Sequence, residues 1–577
     1  MYTLGINAAF HDSAACLVHD GRVIAAAEEE RFTRIKHAKR PLPFTAWELP
    51  YHAIDYCLRE AHIELAAVDH VAYALDPGLL EITAPGAPTI ELPLEPSAAA
   101  WPEGAGSPWD PLFLSYVVNA PRQLADGAPH HLAQRFRGVR PDGPFRWHFV
   151  EHHAAHEASA WLAAPFERCA VLTLDGRGER ATTTFGVHRD HRFRRLKQVD
   201  YPHSLGLLYE AVTSHLGFLH SSDEYKVMAL ASYGTPRFVD EFRAMVQLDS
   251  SGGYTVACTG LAERFGPPRQ RGEPITQRHM DLAASLQRVL EQVVLELAAW
   301  LREATGERNL AMAGGVALNC VMNARVRDSG VFDNVWVQPA AGDAGTALGA
   351  AVLVDFEQRD GRRWKMEHAY YGPGYSDQEI EAVLRWTGVP YRRSANIAAD
   401  AAALLAQDRI LGWFQGRMEF GPRALGARSI LASPLDAGMQ ARLNGLKDRE
   451  DFRPVAPVVL EEALPDWFTP AQANGGSSPY MLFVYGVRPE QAARIPAVCH
   501  VDGTARVQTV NRAQNPRYYE TIRAFGERTG VPVLVNTSFN TRGEPIVCTP
   551  RDALESFWTT PLDALAIGQF IVEKPRP

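Results

Sequence analysis

The chain has 577 residues, of which 46% are hydrophobic and 22% are charged, and its formal net charge is −9. This balance is close to the globular average and excludes a disordered chain, a collagen and a coiled-coil rod. The length predicts about three domains. A mildly acidic chain is not typical of nucleic-acid-binding proteins, so we expect no nucleic-acid partner.

The apolar segments are too short or too interrupted for a membrane helix. The best candidate, residues 282–301, carries Arg288, Glu291 and Glu296 and therefore predicts an amphipathic helix. The N-terminus lacks a basic region ahead of its apolar residues, which argues against a signal peptide. The seven cysteines are scattered and form no CxxC pair, which favours free thiols. We expect a cytoplasmic chain with no membrane partner.

The N-terminal segment predicts a β-hairpin. An apolar run, LGINAA, ends at a loop holding His11 and Asp12, and two further apolar runs then flank the turn Asp20-Gly21. The pattern recurs in AVLTLDGRGE followed by ATTTFGV, and NLAMAGGVALN leads from a strand through a Gly-Gly pair into a helix. Repeated strand–loop–strand units predict the actin-like ATPase (ASKHA) architecture, in which Gly-rich loops of two related halves face a nucleotide.

Two regions of different composition interrupt this pattern. Prolines recur from Pro77 to Pro121 and break regular structure, so the region is either a surface excursion or an insert that shapes an acceptor pocket. Residues 360–375 are polar, aromatic and turn-rich and predict a domain boundary. A helix is expected to begin after Ser376, an N-cap that is followed by acidic residues.

The segment VEHHAAHEASAWL carries the sharpest local motif. His152 and His156 are four residues apart, so on a helix they share one face and can bind one metal ion. The zinc-peptidase motif needs a glutamate where His153 stands, which argues against a peptidase. Asp175 and Asp343 lie in loops suited to further ligands, and the set is compatible with Fe(II), Mn(II) or Zn(II). Alternatively, the histidines only cap or pack a helix.

Cations crowd the segment from residue 417 to residue 453: Arg417, Arg423, Arg428, Arg442, Lys447, Arg449 and Arg453. Acidic residues are interleaved with them, which is typical of a solvated surface. Glycine, proline and apolar runs beside them favour a cleft, where arginine can bind phosphate or carboxylate bidentately. Arg506 and the segment from Asn536 to Ser538 could add donors to such an oxyanion site.

Many motifs together carry a family resemblance: FHDSAA, EEERFTRIKH, HHAAH, LDGRGE, DEYKVMALASYG, AGGVALN, the Asp343 loop, GPRALGARSIL, LKDREDFRPVAP, ARVQTV, NPRY, NTSFNTRGEPIV and PLDALAIG. They run from Gly5 to Gly568, and only the region from Pro77 to Pro121 has no match. In these motifs the chain resembles the NodU/CmcH-type O-carbamoyltransferases, which include antibiotic-tailoring enzymes.

The resemblance implies an α/β protein of two domains. Residues 1–365 would form an actin-like (ASKHA) carbamoyl-transfer domain, similar to the enzyme that transfers threonylcarbamoyl to tRNA, with a metal site and an insert at about 77–140. Residues 366–577 would form a YrdC-like α/β domain that makes carbamoyl-adenylate. The implied substrates are carbamoyl phosphate, ATP with Mg²⁺, and a hydroxyl of a small-molecule natural product, with antibiotic biosynthesis the expected setting.

The resemblance also implies roles for particular residues. The implied iron site is His152, His156, Asp175 and Asp343. The implied carbamoyl phosphate site is Arg423, Lys447, Arg453, Arg506, Asn536 and Ser538. The positions implied near the nucleotide are Lys36, Lys226, Gly314, Gly315 and Asn319. His11 is expected to take a proton from the acceptor hydroxyl, with a backbone-bonded loop histidine as the alternative. Asp12 and Asp223 are expected to contact the acceptor.

Two other functions compete with this interpretation. One is a tRNA threonylcarbamoyl-type transferase, against which stand the acidic charge, the lack of a basic stripe and the fused C-terminal domain. The other is a non-catalytic actin-like nucleotide-binding protein. AMP release that requires both carbamoyl phosphate and a hydroxylated acceptor would distinguish the transferase from both. The sequence names neither the acceptor nor the oligomeric state.

Overall fold

The computed structural model describes residues 1–38, 49–80, 110–126, 145–257, 260–359, 361, 363–470, 476–541 and 543–574. Most of the region from Pro77 to Pro121 lies outside these residues. Where it is described, Pro121 lies inside a helix rather than breaking it. A proline removes only one helical hydrogen bond, and the 17-residue helix continues on both sides of it.

The first sheet contains five strands in the order β3-β2-β1-β4-β5. Their bounds are β1 Tyr2–Asn7, β2 Ala14–His19, β3 Arg22–Glu28, β4 His70–Tyr73 and β5 Arg146–Phe149. The helices of this part are α1 Glu30–Thr33, α2 Tyr51–Glu60, α3 Asp110–Asp126 and α4 His152–Trp161. Strands β2 and β3 pair antiparallel across Asp20-Gly21, which confirms the predicted hairpin.

The second sheet also contains five strands, in the order β12-β11-β6-β7-β8. The strands of this part are β6 Cys169–Leu174, β7 Ala181–Arg189, β8 Arg192–Asp200, β9 Val246–Leu248, β10 Tyr254–Val256, β11 Asn309–Ala313 and β12 Asn334–Val337. The helices are α5 Leu205–His215, α6 Glu224–Leu230, α7 Val239–Met245, α8 Leu261–Phe265, α9 Gln277–Thr305, α10 Cys320–Asp328 and α11 Ala344–Gln358. Strands β9 and β10 form a separate pair.

The two five-stranded sheets repeat one topology. In each, an antiparallel three-stranded meander is extended on the side of its first strand by two parallel strands. This duplication is the actin-like arrangement predicted from the repeated strand–loop–strand pattern, and it confirms that prediction. The long helix α9 covers the predicted amphipathic segment. Among the residues that the structure describes, no helix is long and apolar enough to cross a membrane.

Helix α11 joins the two halves by packing against β1, β2 and α4. Two glycines permit the close approach. A Cβ on Gly349 would lie 1.8 Å from the carbonyl oxygen of Ala155 in α4, and a Cβ on Gly5 would lie 1.9 Å from that of Ala347. Larger residues at either position would push apart the elements that carry the candidate metal ligands.

The C-terminal part contains an eight-stranded mixed sheet in the order β13-β23-β22-β14-β15-β21-β16-β20 and a three-stranded sheet, β17-β18-β19. The strands are β13 Arg392–Arg393, β14 Leu411–Phe414, β15 Arg428–Ala432, β16 Ala456–Leu460, β17 Phe468–Thr469, β18 Val484–Val487, β19 Thr504–Arg506, β20 Gln508–Val510, β21 Val533–Ser538, β22 Ala564–Ile567 and β23 Phe570–Glu573. The helices are α12 Asp377–Thr387, α13 Ile397–Leu405, α14 Met439–Leu446, α15 Leu464–Trp467, α16 Pro489–Ala492, α17 Pro516–Thr529 and α18 Pro550–Thr559.

Helix α12 begins with the predicted cap, since Ser376 and Glu379 form a reciprocal capping box. One buried apolar cluster includes side chains from the second sheet and from the C-terminal sheet, so the core is continuous between the two parts. The described cysteines Cys16, Cys57, Cys169, Cys320, Cys499 and Cys548 are free thiols, and Cys258 lies outside the described residues. The proposed boundary at residue 365 stays a prediction.

Candidate functional site

Four predicted metal ligands meet between the two halves of the N-terminal part. His152 and His156 lie on one face of α4, Asp175 follows β6, and Asp343 precedes α11. The Nε2 atom of His152 lies 3.5 Å from Asp175 Oδ2 and 3.7 Å from Asp343 Oδ1. The Nε2 atom of His156 lies 3.9 Å and 3.8 Å from the same two atoms. The four residues are buried, and their ligand atoms lie within 4.8 Å of one another.

The chemistry of this group fits a metal ion. Buried polar atoms normally have hydrogen-bond partners, yet both Nε2 atoms and Asp343 Oδ1 have none. Two imidazoles and two carboxylates suit a divalent transition metal. The site could therefore bind a metal.

The protonation equilibria of the four residues are strongly perturbed. Burial opposes the charged form of His152, but the nearby carboxylates of Asp175 and Asp343 raise its pKa to about 9. Burial lowers the pKa of His156 to about 3 and raises that of Asp343 to about 6. Burial also opposes ionisation of Asp175, but the surrounding histidines hold its pKa well below the usual range.

His11 lies beside this site in the loop between β1 and β2. Its Nδ1 atom is 2.8 Å from Asp12 Oδ2 and 3.7 Å from Asp343 Oδ2. The end of β1 holds this loop in place, because Asn7 Nδ2 donates to the carbonyl oxygens of His11 and Asp12, at 3.0 Å and 3.1 Å. The structure therefore holds a histidine at the edge of the candidate metal site.

A single cavity of about 1790 Å³ joins the N-terminal and C-terminal parts. His11, Asp175 and Asp343 lie on one of its walls. The predicted carbamoyl phosphate residues also line it: Arg423, Lys447, Arg453, Arg506, Asn536 and Ser538. The resemblance had assigned these residues to two domains, and the fold brings both sets to one space.

The cationic side draws on several elements: Lys447 follows α14, Arg506 ends β19, and Arg423 lies between β14 and β15. Residues 415–427, which we call the arginine loop, connect β14 to β15 and carry Arg423. Burial and the neighbouring Arg506 lower the pKa of Arg423. Burial and nearby cations, first Arg449, also lower the pKa of Lys447. Crowded cations of this kind are stabilised by a bound anion.

Other predicted residues of this side already have protein partners. Lys447 Nζ donates to Ser538 Oγ at 2.9 Å and to Asn540 Oδ1 at 2.7 Å. Asn536 Nδ2 donates to the carbonyl oxygen of Ala424 at 3.1 Å and to Gln508 Oε1 at 2.8 Å. In this structure Asn536 therefore holds the arginine loop in place.

Four of the five residues assigned near the nucleotide line the cavity: Lys36, Lys226, Gly315 and Asn319. Gly315 N donates to Asp175 Oδ1 at 2.7 Å, and Asn319 caps α10. Lys36 lines the cavity, with its ammonium 5.6 Å from the Tyr225 ring centroid. Gly314 packs against Leu174, where a Cβ would lie 2.2 Å from the carbonyl oxygen. This glycine therefore permits a close backbone approach.

Lys226 and the two predicted acceptor residues are engaged in polar contacts. Lys226 Nζ lies 2.9 Å from Glu450 Oε1 and 3.1 Å from Asp223 Oδ2. Asp12 binds His11 through Oδ2 and lies 2.8 Å from His37 Nδ1 through Oδ1. Both aspartates line the cavity, and their acceptor role stays a prediction.

Sequence reasoning left several residues of this site without a role. Arg449 was counted among the crowded cations but not assigned to the carbamoyl phosphate site; it lines the cavity, and its Nη2 atom is buried without a partner. Glu30, His37 and Asp12 form a second group whose ligand atoms lie within 4.8 Å of one another. Glu419 is buried, and its Oε1 atom accepts hydrogen bonds from three backbone N–H groups of the arginine loop and its end. The segment EEERFTRIKH was a signal for Glu30 and His37, although only Lys36 was taken from it.

The chain matches two family models. Residues 2–88 and 142–352 match the carbamoyltransferase N-terminus, and residues 402–574 match the carbamoyltransferase C-terminus. The unmatched residues 89–141 overlap the Pro-rich region and lie close to the insert expected at about 77–140. The chain therefore belongs to the carbamoyltransferase family of enzymes.

Two relatives match nearly the whole chain, and a third matches less than half of it. Nodulation protein NolNO of Sinorhizobium fredii is 40% identical over 585 residues, covering 98% of this chain and 80% of that protein. An uncharacterized protein of Synechocystis is 41% identical over 627 residues, covering 99% of this chain and 97% of that protein. Nodulation protein U of Rhizobium fredii is 40% identical over 240 residues, 41% of this chain and 39% of its own length.

Two solved structures are similar to part of the chain. Full-length HypF in the phosphate- and nucleotide-bound form has a TM-score of 0.35 at 12% identity, covering 61% of this chain and 46% of its own. Component A of the (R)-2-hydroxyglutaryl-CoA dehydratase of Acidaminococcus fermentans has a TM-score of 0.31 at 13% identity, covering 62% and 98%. The fold assignment rests on the duplicated strand order.

Proposed function

We propose that this carbamoyltransferase is an ATP-dependent O-carbamoyltransferase that works in two steps. The YrdC-like C-terminal domain would form carbamoyl-adenylate from carbamoyl phosphate and ATP. The actin-like domain would then transfer the carbamoyl group to a hydroxyl of a small-molecule natural product. The observation that carries this proposal is the single cavity lined by the two carboxylates of the buried ligand group, Asp175 and Asp343, and by a cluster of cations.

The first step uses the cationic wall. Arg423, Arg453 and Arg506 would bind the phosphate of carbamoyl phosphate through charge-assisted hydrogen bonds. Water hydrolyses carbamoyl phosphate to carbamate and inorganic phosphate. A carbamate oxygen then attacks the α-phosphorus of ATP as the bond to pyrophosphate breaks. The product has a good leaving group, AMP, where carbamate alone would have to expel an oxide.

The second step uses the loop between β1 and β2. With His11 Nδ1 donating to Asp12, its Nε2 atom keeps the lone pair that can take a proton. The acceptor oxygen would attack the carbamoyl carbon while His11 takes the hydroxyl proton. The bond to AMP then breaks and AMP leaves with the electron pair.

His152, His156, Asp175 and Asp343 would hold a divalent metal, with Fe(II) preferred and Mn(II) or Zn(II) also compatible. When bound, the ion would supply charge neutralisation for nucleotide phosphates and Lewis acidity. Gly315 would keep Asp175 in place through its backbone hydrogen bond, and Mg²⁺ would accompany ATP.

The acceptor is proposed to be a small hydroxylated molecule rather than a nucleic acid, with antibiotic tailoring as one setting. The net charge of −9 supports this choice. Asp12 and Asp223 lie on the cavity wall, where carboxylates could accept hydrogen bonds from a polyol.

The test combines the protein, ATP and isotopically labelled carbamoyl phosphate with an extract of polyol metabolites, followed by mass spectrometry. We expect a carbamoylated small molecule and AMP release that depends on both carbamoyl phosphate and acceptor. Binding of ATP without AMP release would indicate a nucleotide-binding protein instead. Label on tRNA in a parallel incubation would indicate the competing transferase.

A further inference from the structure

The arginine loop is held by a buried ion pair from the N-terminal part. The backbone N–H of Gly421 donates to Glu28 Oε1 at 2.9 Å, and its carbonyl oxygen accepts from Arg31 Nη2 at 2.9 Å. Gly421 has a φ of 119° and precedes Pro422 and Arg423, so its peptide fixes where the loop turns toward the cavity. Glu28 and Arg31 thus hold both polar groups of one residue near the anion-binding side chain.

Arg31 also connects Gly421 to two carboxylates of the N-terminal part, Glu28 and Glu30. Its Nη2 atom donates to Glu28 Oε1 at 3.0 Å, and its Nη1 atom lies 2.9 Å from Glu30 Oε1. The Arg31 side chain is only 3% exposed. A guanidinium buried between two carboxylates has few alternative arrangements, because moving away from either carboxylate would leave a buried charge uncompensated.

From Glu30 the chain of contacts reaches the proposed catalytic histidine. Glu30 Oε2 accepts the backbone N–H of His37 at 2.6 Å. His37 Nδ1 lies 2.8 Å from Asp12 Oδ1, and Asp12 Oδ2 lies 2.8 Å from His11 Nδ1. One continuous series of polar contacts therefore runs from Gly421, beside Arg423, to His11, beside Asp343.

We propose that Glu28 and Arg31 are positioning residues that couple the two ends of the cavity, so that an anion held by Arg423 helps to order the His11–Asp12 pair. The inference rests on the proposed function, since it connects the two sites which that function uses. Neither residue touches substrate in this scheme. They act through Gly421 at one end and through Glu30, His37 and Asp12 at the other.

An anion bound at Arg423 would affect His11 because each group in the series restricts the motion of the next. An anion restrains Arg423 and with it the arginine loop, whose Gly421 peptide is bonded to Glu28 and Arg31. A restrained Arg31 leaves Glu30 and His37 fewer arrangements, so Asp12 presents His11 in one orientation. Misplacement of a reacting group by about 1 Å can cost about 100-fold in rate, so a positioning effect of this kind is measurable.

Hydrogen exchange with inorganic phosphate as the probe tests the coupling without any carbamoyl chemistry. In the wild type we expect saturating phosphate to slow amide exchange in residues 415–428 and also in residues 9–13 and 34–38. In Glu28→Gln, which keeps the shape but removes the charge, slowing should be confined to residues 415–428. Arg31→Lys should behave alike, and the isosteric Glu28→Gln carries the test if Arg31→Lys does not fold.

Arg34→Met is the matched control. Arg34 lies in the same segment and also reaches the C-terminal part, but its guanidinium donates to the backbone carbonyl oxygens of Ile546 and Pro545. In this variant, phosphate should slow amide exchange in residues 9–13 as much as it does in the wild type. Loss of transmission in the control equal to that in Glu28→Gln would overturn the specific role of Glu28 and Arg31.

A kinetic readout separates positioning from general damage. In Glu28→Gln we expect carbamoyl phosphate-dependent ATP–pyrophosphate exchange within about threefold of wild type, with transfer to acceptor lowered about 10–100-fold. Two results would overturn this inference alone. One is that phosphate slows amide exchange in the wild type only in residues 415–428, and the other is that Glu28→Gln transfers carbamoyl at the wild-type rate. If phosphate slows amide exchange nowhere in the wild-type protein, the proposed anion site and this inference are both overturned.

Discussion

His152 and His156 supply two of four ligand groups in a site where both carboxylates are buried. Replacing either with alanine removes a ligand and leaves Asp175 and Asp343 with less compensation. We expect His152→Ala and His156→Ala to lose bound metal and the transfer step together, as measured by elemental analysis and by acceptor carbamoylation. His153→Asn is the control, because His153 contacts Thr173 and lies outside the four-residue group. A metal-free variant that carbamoylates at the wild-type rate would contradict the assignment.

Metal affinity should rise with pH, because the metal must displace a proton from His152. The two carboxylates raise the His152 pKa to about 9, so below that pH the imidazole is protonated in the metal-free site. The apparent affinity should rise about tenfold per pH unit, and more steeply below the Asp343 pKa of about 6. Competitive chelator titrations between pH 5.5 and about pH 8.5 would measure the slope. A metal affinity that does not change with pH would mean that metal binding displaces no proton from His152.

The role of His11 is decided by which step fails when it is removed. General base catalysis contributes about 10²–10⁴-fold, so His11→Ala should lower transfer by about that factor while ATP–pyrophosphate exchange survives. Carbamoyl-adenylate should then hydrolyse slowly to AMP. A merely structural histidine would instead damage metal content and both half-reactions in parallel, and an unchanged transfer rate rejects the catalytic role.

At the scale of elements, the arginine loop depends on a buried acceptor. Glu419 is 2% exposed, and its Oε1 atom accepts from the backbone N–H groups of Leu425, Ala427 and Arg428 at 2.7 Å, 2.7 Å and 3.2 Å. Glu419→Ala would leave these donors buried without a partner, at a cost of about 1–3 kcal/mol for each group left unsatisfied.

We therefore expect Glu419→Ala to lower thermal stability and to weaken phosphate binding more than Glu419→Gln, which keeps one acceptor oxygen. Calorimetric unfolding and phosphate titration on both variants would check this order. Equal phosphate affinity in Glu419→Ala and wild type would show that the loop keeps its shape without the carboxylate.

The elements that the sequence predicted are those specified by local patterns. The Asp20-Gly21 hairpin, the helix after Ser376 and the helical pairing of His152 with His156 each follow from a few neighbouring residues. The Pro121 position failed as a breaker because helix α3 continues around it. Arg31 escaped notice because its backbone partner, Gly421, lies 390 positions along the chain. Glu419 escaped notice because its backbone partners lie in an irregular loop, which no local periodicity reveals.

On the scale of the whole molecule, the architecture of the N-terminal part was predictable from repetition, but the shape of the cavity was not. The two similar strand–loop–strand patterns indicated two related halves, and the matching strand orders bear this out. The meeting of Arg423 with His11 in one cavity depends on contacts between residues almost 400 positions apart, such as Arg31 with Gly421. Only the motif resemblance linked those regions in advance.

The largest-scale prediction is that the two half-reactions can be separated. Arg423→Ala or Lys447→Ala should block carbamoyl-adenylate formation, because a phosphate dianion loses charge-assisted hydrogen bonds worth about 1.5–3 kcal/mol each. That loss corresponds to about 10–100-fold for a single contact. The same variants should still transfer carbamoyl from supplied carbamoyl-adenylate, because Gly421 keeps its bonds to Glu28 and Arg31. Transfer by Arg423→Ala should be slower than in the wild type, because Arg423 no longer holds an anion that helps to order His11.

Exchange and transfer should be measured on one preparation, with metal content as the check that the N-terminal site is intact. Arg442→Ala is the matched control. It removes a cation from the same segment, but Arg442 Nη1 pairs at 2.9 Å with Asp408 at the surface. It should leave both half-reactions near the wild-type rate. Loss of both activities in a folded, metal-loaded Arg423→Ala protein would count against the division of labour between the two domains.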